Sequence, residues 1–312
     1  MPTPNDHKPE QPVDFVSFGM LTPYYNLVVD EPPVHNTAHS ITQLDECIGD
    51  DASIVALHLN VWGLSSGIIG TALGDDDAGR RIAERLRELG IAGEVRLSKG
   101  LKTNFEVCVC DPTGGRTYWW QRDPAVLETL ANADLSLLQG AKLLYVDWYD
   151  GDHILRPMKE AAAQGTAVYL NLEHKYADRD LVARLAPHVT VCQATTDEAQ
   201  KGGDAYKVAD VLLASGIETV IVTMASEGSL VATKKERIRI PAMQVQLVDG
   251  SAAGVTFSAG FIYGSLHGWA LEQCGRFATA AAALQCTVGG PQAFPVEDIE
   301  QMALQVIPIH EG

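Results

Sequence analysis

Short runs of aliphatic and β-branched residues alternate with amphipathic stretches through most of the chain, the pattern of a sheet with crossover helices. The predicted units, in chain order, are strand Ser65–Leu73 with helix Ala78–Leu89, strand Lys142–Asp147 with helix His153–Ala163, strand Ala167–Leu172 with helix Arg179–Leu185, strand Val189–Cys192 with helix Thr196–Ala214, and strand Thr219–Thr223. Serial alternation of this kind predicts an α/β fold whose central sheet is mostly parallel and flanked by helices.

Two strand-like stretches interrupt the alternation because no helical pattern separates their halves. They are Phe15–Val29 and Asn104–Trp120, the second with a turn at Pro112–Gly115. Both predict a small β-sheet lid outside the main sheet, with its strands within residues 14–40 and 100–121. Residues 253–307 read as almost entirely helical. Since no repeat or Ser/Gly-rich linker divides the sequence, we expect a single domain over residues 1–312.

Charge narrows the possible partners. The 40 acidic and 23 basic residues give a net charge of -17, which repels nucleic acid and anionic membranes. No apolar run approaches the ~20 residues of a membrane span, and the polar N-terminus lacks the pattern of a signal peptide. The six cysteines include no C-x-x-C pair, which favours buried thiols in a reducing compartment. We therefore expect a cytoplasmic protein.

The segment Val248–Trp269 is the most informative for chemistry. Small residues and glycine follow Asp249 and lead directly into an apolar helix. Exposed N–H groups at a helix N-terminus, approachable past small side chains, form an anion site. A helix start capped by Asp249 or Ser251, with small residues serving only packing, explains the same pattern.

This segment resembles the signature of the PfkB (ribokinase-like) carbohydrate kinases, D-T-x-G-A-G-D followed by a small residue and Phe. Asp249, Ala253, Gly254 and Phe257 match the signature. Further matches occur in family order over nearly the whole chain. They are the G-x-D-x-x-G turn at Gly74, Asp76 and Gly79 within Ile69–Ile91, the T-x-G-x-x-G-like segment Val222–Leu230, the acidic helix start Thr195–Ala199, and FATAAAALQCTVGGPQAFP near the C-terminus.

The resemblance implies a ribokinase-like fold and ATP- and Mg²⁺-dependent phosphoryl transfer to a hydroxyl of a sugar or nucleoside. It also implies a lid that closes over the substrate and pairs with a second lid in a homodimer. The anion hole falls on Ala252, Ala253 and Gly254, although an alanine at 252 resists the positive φ of the family's glycine. The signature's last Asp, the family's general base, is Val255 here.

The other implied site positions also depart from the family pattern. Nucleotide contacts fall on Thr223, Ala225, Gly228 and Asp249, with Ala225 in place of a glycine. Of the magnesium motif N-x-x-E only Glu198 is retained. The substrate pocket falls on Tyr24, Gly49, Asp50 and Ser53, where relatives carry an Asp and a glycine pair with Asn.

Several of these residues have simpler explanations. Asp50 and Asp51 complement a helix N-terminus or accept hydrogen bonds from ligand hydroxyls. Tyr24 and Tyr25 serve as strand aromatics, while the lid tyrosines, Trp119 and Trp120 suit a dimer interface. Asp75–Asp77 reads as a turn with a helix N-cap. The pair His35 and His39 lacks a third metal ligand in the sequence, so no metal site is predicted there.

Because a valine accepts no proton, the favoured function is a PfkB-like pseudokinase that binds a sugar or nucleoside without efficient turnover. One alternative is an active carbohydrate kinase in which water or a displaced carboxylate such as Asp249 replaces the base. A second alternative is a structural or interaction protein.

Overall fold

The computed structural model describes residues 12–113, 115–196 and 203–311. Its strands are β1 Phe15–Gly19, β2 Thr22–Val29, β3 Ile41–Gly49, β4 Ser66–Gly70, β5 Leu73–Gly74, β6 Leu97–Ser98, β7 Phe105–Cys110, β8 Arg116–Gln121, β9 Leu143–Asp147, β10 Ala167–Glu173, β11 Val191–Thr195, β12 Thr219–Thr223, β13 Ser229–Ala232, β14 Arg237–Ile240 and β15 Ile309–Glu311. Its helices are α1 Asp51–Val61, α2 Asp77–Glu88, α3 Pro124–Leu127, α4 Leu155–Gln164, α5 Arg179–Leu185, α6 Ala205–Ala214, α7 Ala253–Leu266, α8 Leu271–Gln285 and α9 Val296–Ala303.

The main sheet has the strand order β15-β14-β13-β12-β11-β10-β9-β1-β4. The six strands from β4 to β12 in that order pair in parallel, and β13, β14 and β15 add an antiparallel edge. The parallel strands are almost fully buried because helices cover both faces. The predicted α/β fold with a mostly parallel central sheet is confirmed.

Two hydrophobic layers enclose the sheet. One face packs against α1, α2, α7, α8 and α9, and the other packs against α4, α5 and α6. Helix α7 is apolar on all sides because it lies between the sheet and neighbouring helices, so nearly all of its residues are buried. Its Gly260 is required by packing, since a Cβ there would lie 2.7 Å from the Cα of Ala278. This close contact fixes the axis of α7 and hence the position of its N-terminus.

The lid is a separate four-stranded sheet of order β3-β2-β7-β8. Strands β2 and β7 pair in parallel, and β3 and β8 pair antiparallel on the outside. Tyr24, Cys108 and Cys110 are buried on the inner side. Tyr118, Trp119 and Trp120 are exposed on the outer strand. The lid therefore has a packed inner face and an aromatic outer edge.

The structure corrects the predicted lid in two places. Phe15–Gly19 is not a lid strand but the fully buried β1, which pairs with β4 and β9 in the main sheet. The hydrophobic pattern does not show where β1 ends and β2 begins, because both strands are apolar and only Met20 and Leu21 lie between them. The strand Ile41–Gly49 was missed, and it lies outside the predicted ranges because its exposed polar positions resemble a loop.

Other predicted elements shift or divide. Predicted strand Ser65–Leu73 becomes β4 and the short β5, and strand Val189–Cys192 begins later, as β11. The described part of helix Thr196–Ala214 is α6, since residues 197–202 lie outside the described residues. The cysteines are free thiols, with Cys108, Cys110, Cys192 and Cys274 buried. Within the described residues, no helix combines the length and the apolar character needed to cross a bilayer.

Candidate functional site

The candidate site lies where the carboxyl ends of β1, β9, β10, β11 and β12 meet the lid and the N-termini of α1 and α7. Open α/β sheets bind ligands in the crevice at this edge. The edge carries two groups of side chains. One group surrounds the start of α7, and the other is a set of carboxylates around the ends of β9 and β10.

The turn before α7 has a distinctive backbone. Ala252 takes the left-handed conformation, with φ 57° and ψ 1°, directly before the first helical residue. Alanine disfavours positive φ, and the loop imposes this conformation on Ala252 nonetheless. Among the described residues no heavy atom lies within 4 Å of a Cβ built on Gly254, so this part of the structure leaves the helix start open on that side. Ala252, Ala253 and Gly254 therefore present a helix N-terminus to an open space, a geometry suited to an anion.

Asp249 is fixed by its neighbours. Its two oxygens accept five hydrogen bonds, from Asn26 Nδ2 (3.1 Å), Cys110 Sγ (2.9 Å), Ser251 N (2.7 Å), Ser251 Oγ (2.6 Å) and Gly290 N (2.9 Å). Burial favours the protonated form, but the hydrogen bonds led by those from Cys110 and Ser251 hold the pKa of this carboxyl below its usual value. Asp249 is therefore ionised, and its hydrogen bonds link the lid to the loop before α7.

Val255 lies in the first turn of α7 and is 4% exposed. The turn is tied to β11, because Gln193 Nε2 donates to the Gly254 carbonyl (3.2 Å) and Ser258 Oγ donates to Gln193 Oε1 (2.9 Å). The Val255 side chain contributes to the apolar core on this face of the sheet. The position that the resemblance assigns to the base is thus built as a packing position.

The predicted nucleotide positions lie at the end of β12. Thr223 Oγ1 donates to the Ala194 carbonyl (3.3 Å). Ala225 has φ 46°, again a left-handed alanine at a position where the family has glycine. Gly228 is required by the fold, since a Cβ there would lie 2.0 Å from the Ile240 carbonyl oxygen. These residues lie at the carboxyl end of β12 and in the turn that leads to β13.

The predicted substrate positions divide into two pairs. Gly49 leaves room for the Tyr24 side chain, because a Cβ added at position 49 would lie only 2.4 Å from the Cβ of Tyr24. The Tyr24 hydroxyl donates to Asn26 (3.3 Å). Asp50 caps α1 by accepting from the Asp51 N–H (2.9 Å), at φ 67°. Ser53 is buried, and its hydroxyl lies 3.5 Å from the Met20 carbonyl. Of this set, Ser53 therefore contacts the turn after β1, and Asp50 points to Arg122.

The sequence analysis missed a group of acidic side chains at the ends of β9 and β10. The Asn171 amide donates to Asp147 (2.8 Å), Glu173 (3.2 Å) and Asp51 (3.3 Å). Burial first, and then repulsion from Asp147, raises the pKa of Asp51, and burial followed by repulsion from Glu173 raises the pKa of Asp147. The available signal was that predicted strand Lys142–Asp147 ends on an acidic residue and that Glu173 directly follows predicted strand Ala167–Leu172, because residues at these positions converge at the carboxyl edge of the sheet.

Asp150 and Asp50 extend this acidic group. Asp150 is fully buried, and burial together with repulsion from Asp50 raises the pKa of Asp150 well above its usual value. Burial raises the pKa of Asp50 to about 6, although Arg122 opposes the rise. Arg122 reaches Asp50 at 3.4 Å and donates more closely, from both Nε and Nη2, to Glu106 Oε1 of the lid. Arg122 thus joins the lid to the acidic edge.

The predicted metal residue Glu198 lies outside the described residues. A different group, formed by Asp30, Glu31 and His39, places three ligand atoms within 4.8 Å of one another. However, His39 Nε2 accepts the Val34 N–H (2.9 Å), which leaves the proton of a neutral ring on Nδ1, facing Glu31 (3.3 Å). In this tautomer Nδ1 carries the proton and Nε2 already accepts a hydrogen bond, so the ring has no lone pair directed at an ion.

Comparison with protein families decides the affiliation. The model of the pfkB family carbohydrate kinases matches residues 25–299. This chain therefore belongs to the pfkB family of carbohydrate kinases.

Other pfkB proteins resemble it at low identity. An uncharacterized sugar kinase from Archaeoglobus fulgidus is 24% identical over 234 residues, which cover 72% of this chain and 92% of the relative. The structure of a Burkholderia thailandensis nucleoside kinase in complex with inosine superposes with a TM-score of 0.75 at 18% identity, covering 92% of this chain and 96% of the other. Arabidopsis thaliana ribokinase complexed with ribose and ATP has a TM-score of 0.71 at 18% identity and covers 94% and 99% of the two chains.

These similarities confirm the predicted pfkB family and ribokinase-like fold. The two groups at the sheet edge are the anion-site turn before α7 and the carboxylates around β9 and β10. Tyr24 and Gly49 belong to the inner packing of the lid, and the Tyr24 hydroxyl also interacts with Ser251 in the turn before α7.

Proposed function

We propose that this pfkB protein binds a nucleotide and a sugar or nucleoside but transfers phosphate slowly or not at all. The observation that carries the proposal is the residue at position 255. By resemblance it occupies the position of the family's general base, and it is a valine buried in the core. General-base catalysis contributes about 10²–10⁴ in rate, so its loss alone would leave a weak enzyme.

The neighbouring carboxylate does not offer a substitute. Asp249 uses both oxygens to accept five hydrogen bonds from the lid, the loop and Gly290. Turning it towards a substrate hydroxyl would leave several buried donors without partners, at about 1–3 kcal/mol each. This argues against the alternative in which a displaced Asp249 acts as the base.

Retention of binding is supported by the backbone. Ala225 and Ala252 hold positive φ, and so does Asp50, at three positions where the family has glycine. The open helix start at Gly254 suits a phosphate group. Ribokinase from Arabidopsis was crystallised with ribose and ATP, and the Burkholderia kinase with inosine, so we extend these ligand classes to this chain as part of the proposal. Magnesium, with Glu198 as a ligand, belongs to the same proposal.

An active kinase with an unusual site is the second candidate. It is favoured by the acidic side chains near β9, since a carboxyl with a raised pKa, such as Asp50 at about 6, is suited to proton transfer near neutral pH. In this reading a carboxylate from the sheet edge, and not from α7, would accept the hydroxyl proton.

The first test is the thermal stability of the purified protein with ATP, ADP, AMP and adenosine, with and without Mg²⁺. A ligand at 100 times its Kd should stabilise the fold by about 2.7 kcal/mol. A shift with at least one nucleotide is expected. Absence of a shift at millimolar concentrations would contradict both candidates and leave a structural or interaction protein.

The second test restores the family residue with Val255→Asp, using Val255→Asn as a control for the buried polar group. We expect little phosphoryl transfer from ATP by the wild type across a sugar and nucleoside panel, and a gain for Val255→Asp only. Substantial turnover by the wild type would refute the pseudokinase and support the second candidate. Tight binding without gain in Val255→Asp would indicate a dedicated sensor.

A homodimer through the lid is part of the proposal. The outer strand exposes Tyr118, Trp119 and Trp120, with exposures of 41%, 50% and 63%, and an edge strand of this kind is usually protected. Light scattering should give twice the chain mass for the wild type and a smaller mass for a Trp119→Ser, Trp120→Ser double variant. A monomeric wild type would contradict the lid dimer.

A further inference from the structure

Four carboxylates occupy the space between the lid and the sheet edge, and we call them the carboxylate cluster: Asp50, Asp51, Asp147 and Asp150. They come from the turn before α1, the first residue of α1, the end of β9 and the turn after β9. Asp147 and Asp150 are 0% exposed and Asp50 is 8% exposed. Repulsion among the four contributes to the raised pKa of each of Asp51, Asp147 and Asp150.

Few basic side chains lie near the carboxylate cluster to balance its negative charge. Arg122 reaches Asp50, but it also neutralises Glu106. In the parts of the chain that the structure describes, no basic side chain forms an ion pair with Asp51, Asp147 or Asp150. Burying carboxylates without a counter-charge is costly, and proteins keep such groups mainly where they serve a ligand.

Two buried polar groups at this place also lack hydrogen bonds of ordinary geometry within the described residues. They are both oxygens of Asp150, whose charged form is favoured only by an interaction with the Met20 backbone and by Arg122, and the indole N–H of Trp148. Asp150 faces the cluster, since Asp50 and Asp51 are among the charges that raise its pKa. The backbone around the cluster is strained as well, with φ 67° at Asp50 and φ 51° at Glu173.

Aromatic faces border the same space. Trp148 and Tyr149 follow Asp147 directly, and their ring centroids lie 4.3 Å apart. The ammonium of Lys175 lies 4.5 Å from the centroid of the Trp148 ring, so this surface already accommodates one ammonium group. Tyr149 is 40% exposed, and partial burial first and then the negative charges of Glu173, Asp147 and Asp51 raise its pKa.

We propose that the sugar or nucleoside bound at this site carries a protonated amine, which the carboxylate cluster receives between the lid and the end of β9. The inference rests on the proposed function, because it names the chemical class of the ligand of that site. An ammonium supplies the missing positive charge and three N–H donors for carboxylate oxygens that have few donors of their own.

A divalent cation fits the cluster less well. The Asn171 amide nitrogen lies among Asp51, Asp147 and Glu173 and donates to all three. An N–H donor at that point opposes a metal ion, which requires oxygen lone pairs. Among the described residues, the group of possible metal ligands found within 4.8 Å of one another is elsewhere, at Asp30, Glu31 and His39.

The experiment compares matched ligands by calorimetry on the full chain at pH 7.5, with and without ATP and Mg²⁺. The pairs are D-glucosamine with D-glucose, 1-amino-1-deoxy-D-fructose with D-fructose, and 2′-amino-2′-deoxyadenosine with adenosine. N-acetyl-D-glucosamine controls for size without charge. At least one amine should bind about tenfold or more tightly than its hydroxyl partner, the ratio of one charge-assisted hydrogen bond.

The matched variants are Asp150→Asn and Asp152→Asn. Asp150→Asn keeps the shape of a cluster member and should remove most of the amine preference. It should also raise the melting temperature of the ligand-free protein, which a purely structural Asp150 would not do. Asp152 lies two residues away with a 71% exposed side chain paired with Arg184, so its variant should leave both properties unchanged.

Each outcome separates this inference from the proposed function. Equal binding of amines and hydroxyl partners would overturn the inference and leave the proposed function standing. Binding of Mg²⁺ or Ca²⁺ alone that is lost in Asp150→Asn would also overturn it, in favour of a metal site. Failure of every ligand, with and without ATP, would overturn both. Amine preference that persists in Asp150→Asn would show that the amine binds elsewhere.

Discussion

Asn26 Nδ2 donates to Asp249 Oδ2 over 3.1 Å, and this bond links a lid strand to the loop before α7. Because Asp249 accepts four further hydrogen bonds, we expect Asp249→Asn to lower the free energy of unfolding by about 2–4 kcal/mol, since an amide cannot accept from all these donors. Urea unfolding measures the change.

The control for this substitution is Glu236→Gln, at an exposed position, which should change stability by less than about 0.5 kcal/mol. The lowered pKa of Asp249 also gives a pH signature. The ionised Asp249 carboxylate stabilises the fold above its ordinary pKa of 3.8, and this stabilisation is lost as the pH falls below that value. Wild type and Asp249→Asn should therefore converge in stability at acid pH. A difference that did not shrink there would contradict the role of the ionised carboxylate.

Two alanines hold conformations that suit glycine. Ala225 and Ala252 have φ 46° and 57°. Left-handed backbone costs a non-glycine residue about 1–2 kcal/mol, partly offset by the greater freedom of glycine in the unfolded chain. We therefore expect Ala252→Gly and Ala225→Gly each to stabilise the fold, by up to about 1 kcal/mol. Ala162→Gly, in the exposed part of α4, should instead destabilise it by a similar amount, and equal signs for all three would refute the argument.

A substitution at Gly254 should weaken ATP binding without destabilising the fold. A Cβ at this position meets no heavy atom within 4 Å, and the residue lies in α7, so Gly254→Ala should leave stability unchanged or raise it by about 0.5–1 kcal/mol. The added methyl group would occupy the open space at the helix start. ATP should therefore bind at least about tenfold more weakly, while adenosine, which has no phosphate, should bind as before. Unchanged ATP affinity would place the phosphate elsewhere.

The carboxylate cluster predicts an unusual pH dependence. Burial and mutual repulsion raise the pKa of Asp150, so above pH 3.8 the folded state keeps protons that the unfolded chain has released. The free energy of unfolding must then fall as the pH rises from about 4 towards neutral. Relative to wild type, Asp150→Asn should gain about 1–3 kcal/mol between pH 4.5 and 8.

Comparing wild type with Asp150→Asn isolates the contribution of the carboxylate cluster to the pH dependence of stability. His58, whose pKa burial lowers to about 4, stabilises the fold as the pH rises through the same window, but it is present in both proteins and cancels in the difference. Of the other charges facing Asp150, those of Asp50, Asp51 and Asp147 repel it and add to the gain on its removal, whereas Arg122 attracts it and reduces the gain. A difference independent of pH would refute the assignment.

The sequence predicted the elements whose pattern is local. Helix α2 was placed within one residue because Asp76 caps Gly79 N (2.9 Å) and a regular amphipathic stripe follows. Helix α1 was anticipated only at its N-terminus, at Asp50 and Asp51, and its extent was not predicted because it is apolar on most sides and shows no such stripe. The short antiparallel strands β13, β14 and β15 were missed because their partners are decided by tertiary contacts, which a sequence window does not contain.

The candidate site, too, was predicted only where its residues are close together in the sequence. The anion-site turn was found because its small residues are consecutive in the sequence. The carboxylate cluster was not, since Asp51, Asp147 and Asp150 are brought together by sheet topology across about a hundred residues. Positive φ at Ala225 and Ala252 was likewise invisible, because the surrounding loops impose it against the preference of alanine.

The parallel pairing of β2 with β7 determines how the lid is assembled. Five register pairs join strands that are about eighty residues apart in the chain, from Tyr24 with Glu106 to Val28 with Cys110. Loop closure over such a distance is entropically expensive until the intervening β4 and α2 have folded. The two halves of the lid should therefore join late in folding and be the first to separate, which would make ligand entry a local unfolding event and give β2 and β7 the fastest hydrogen exchange among the buried strands.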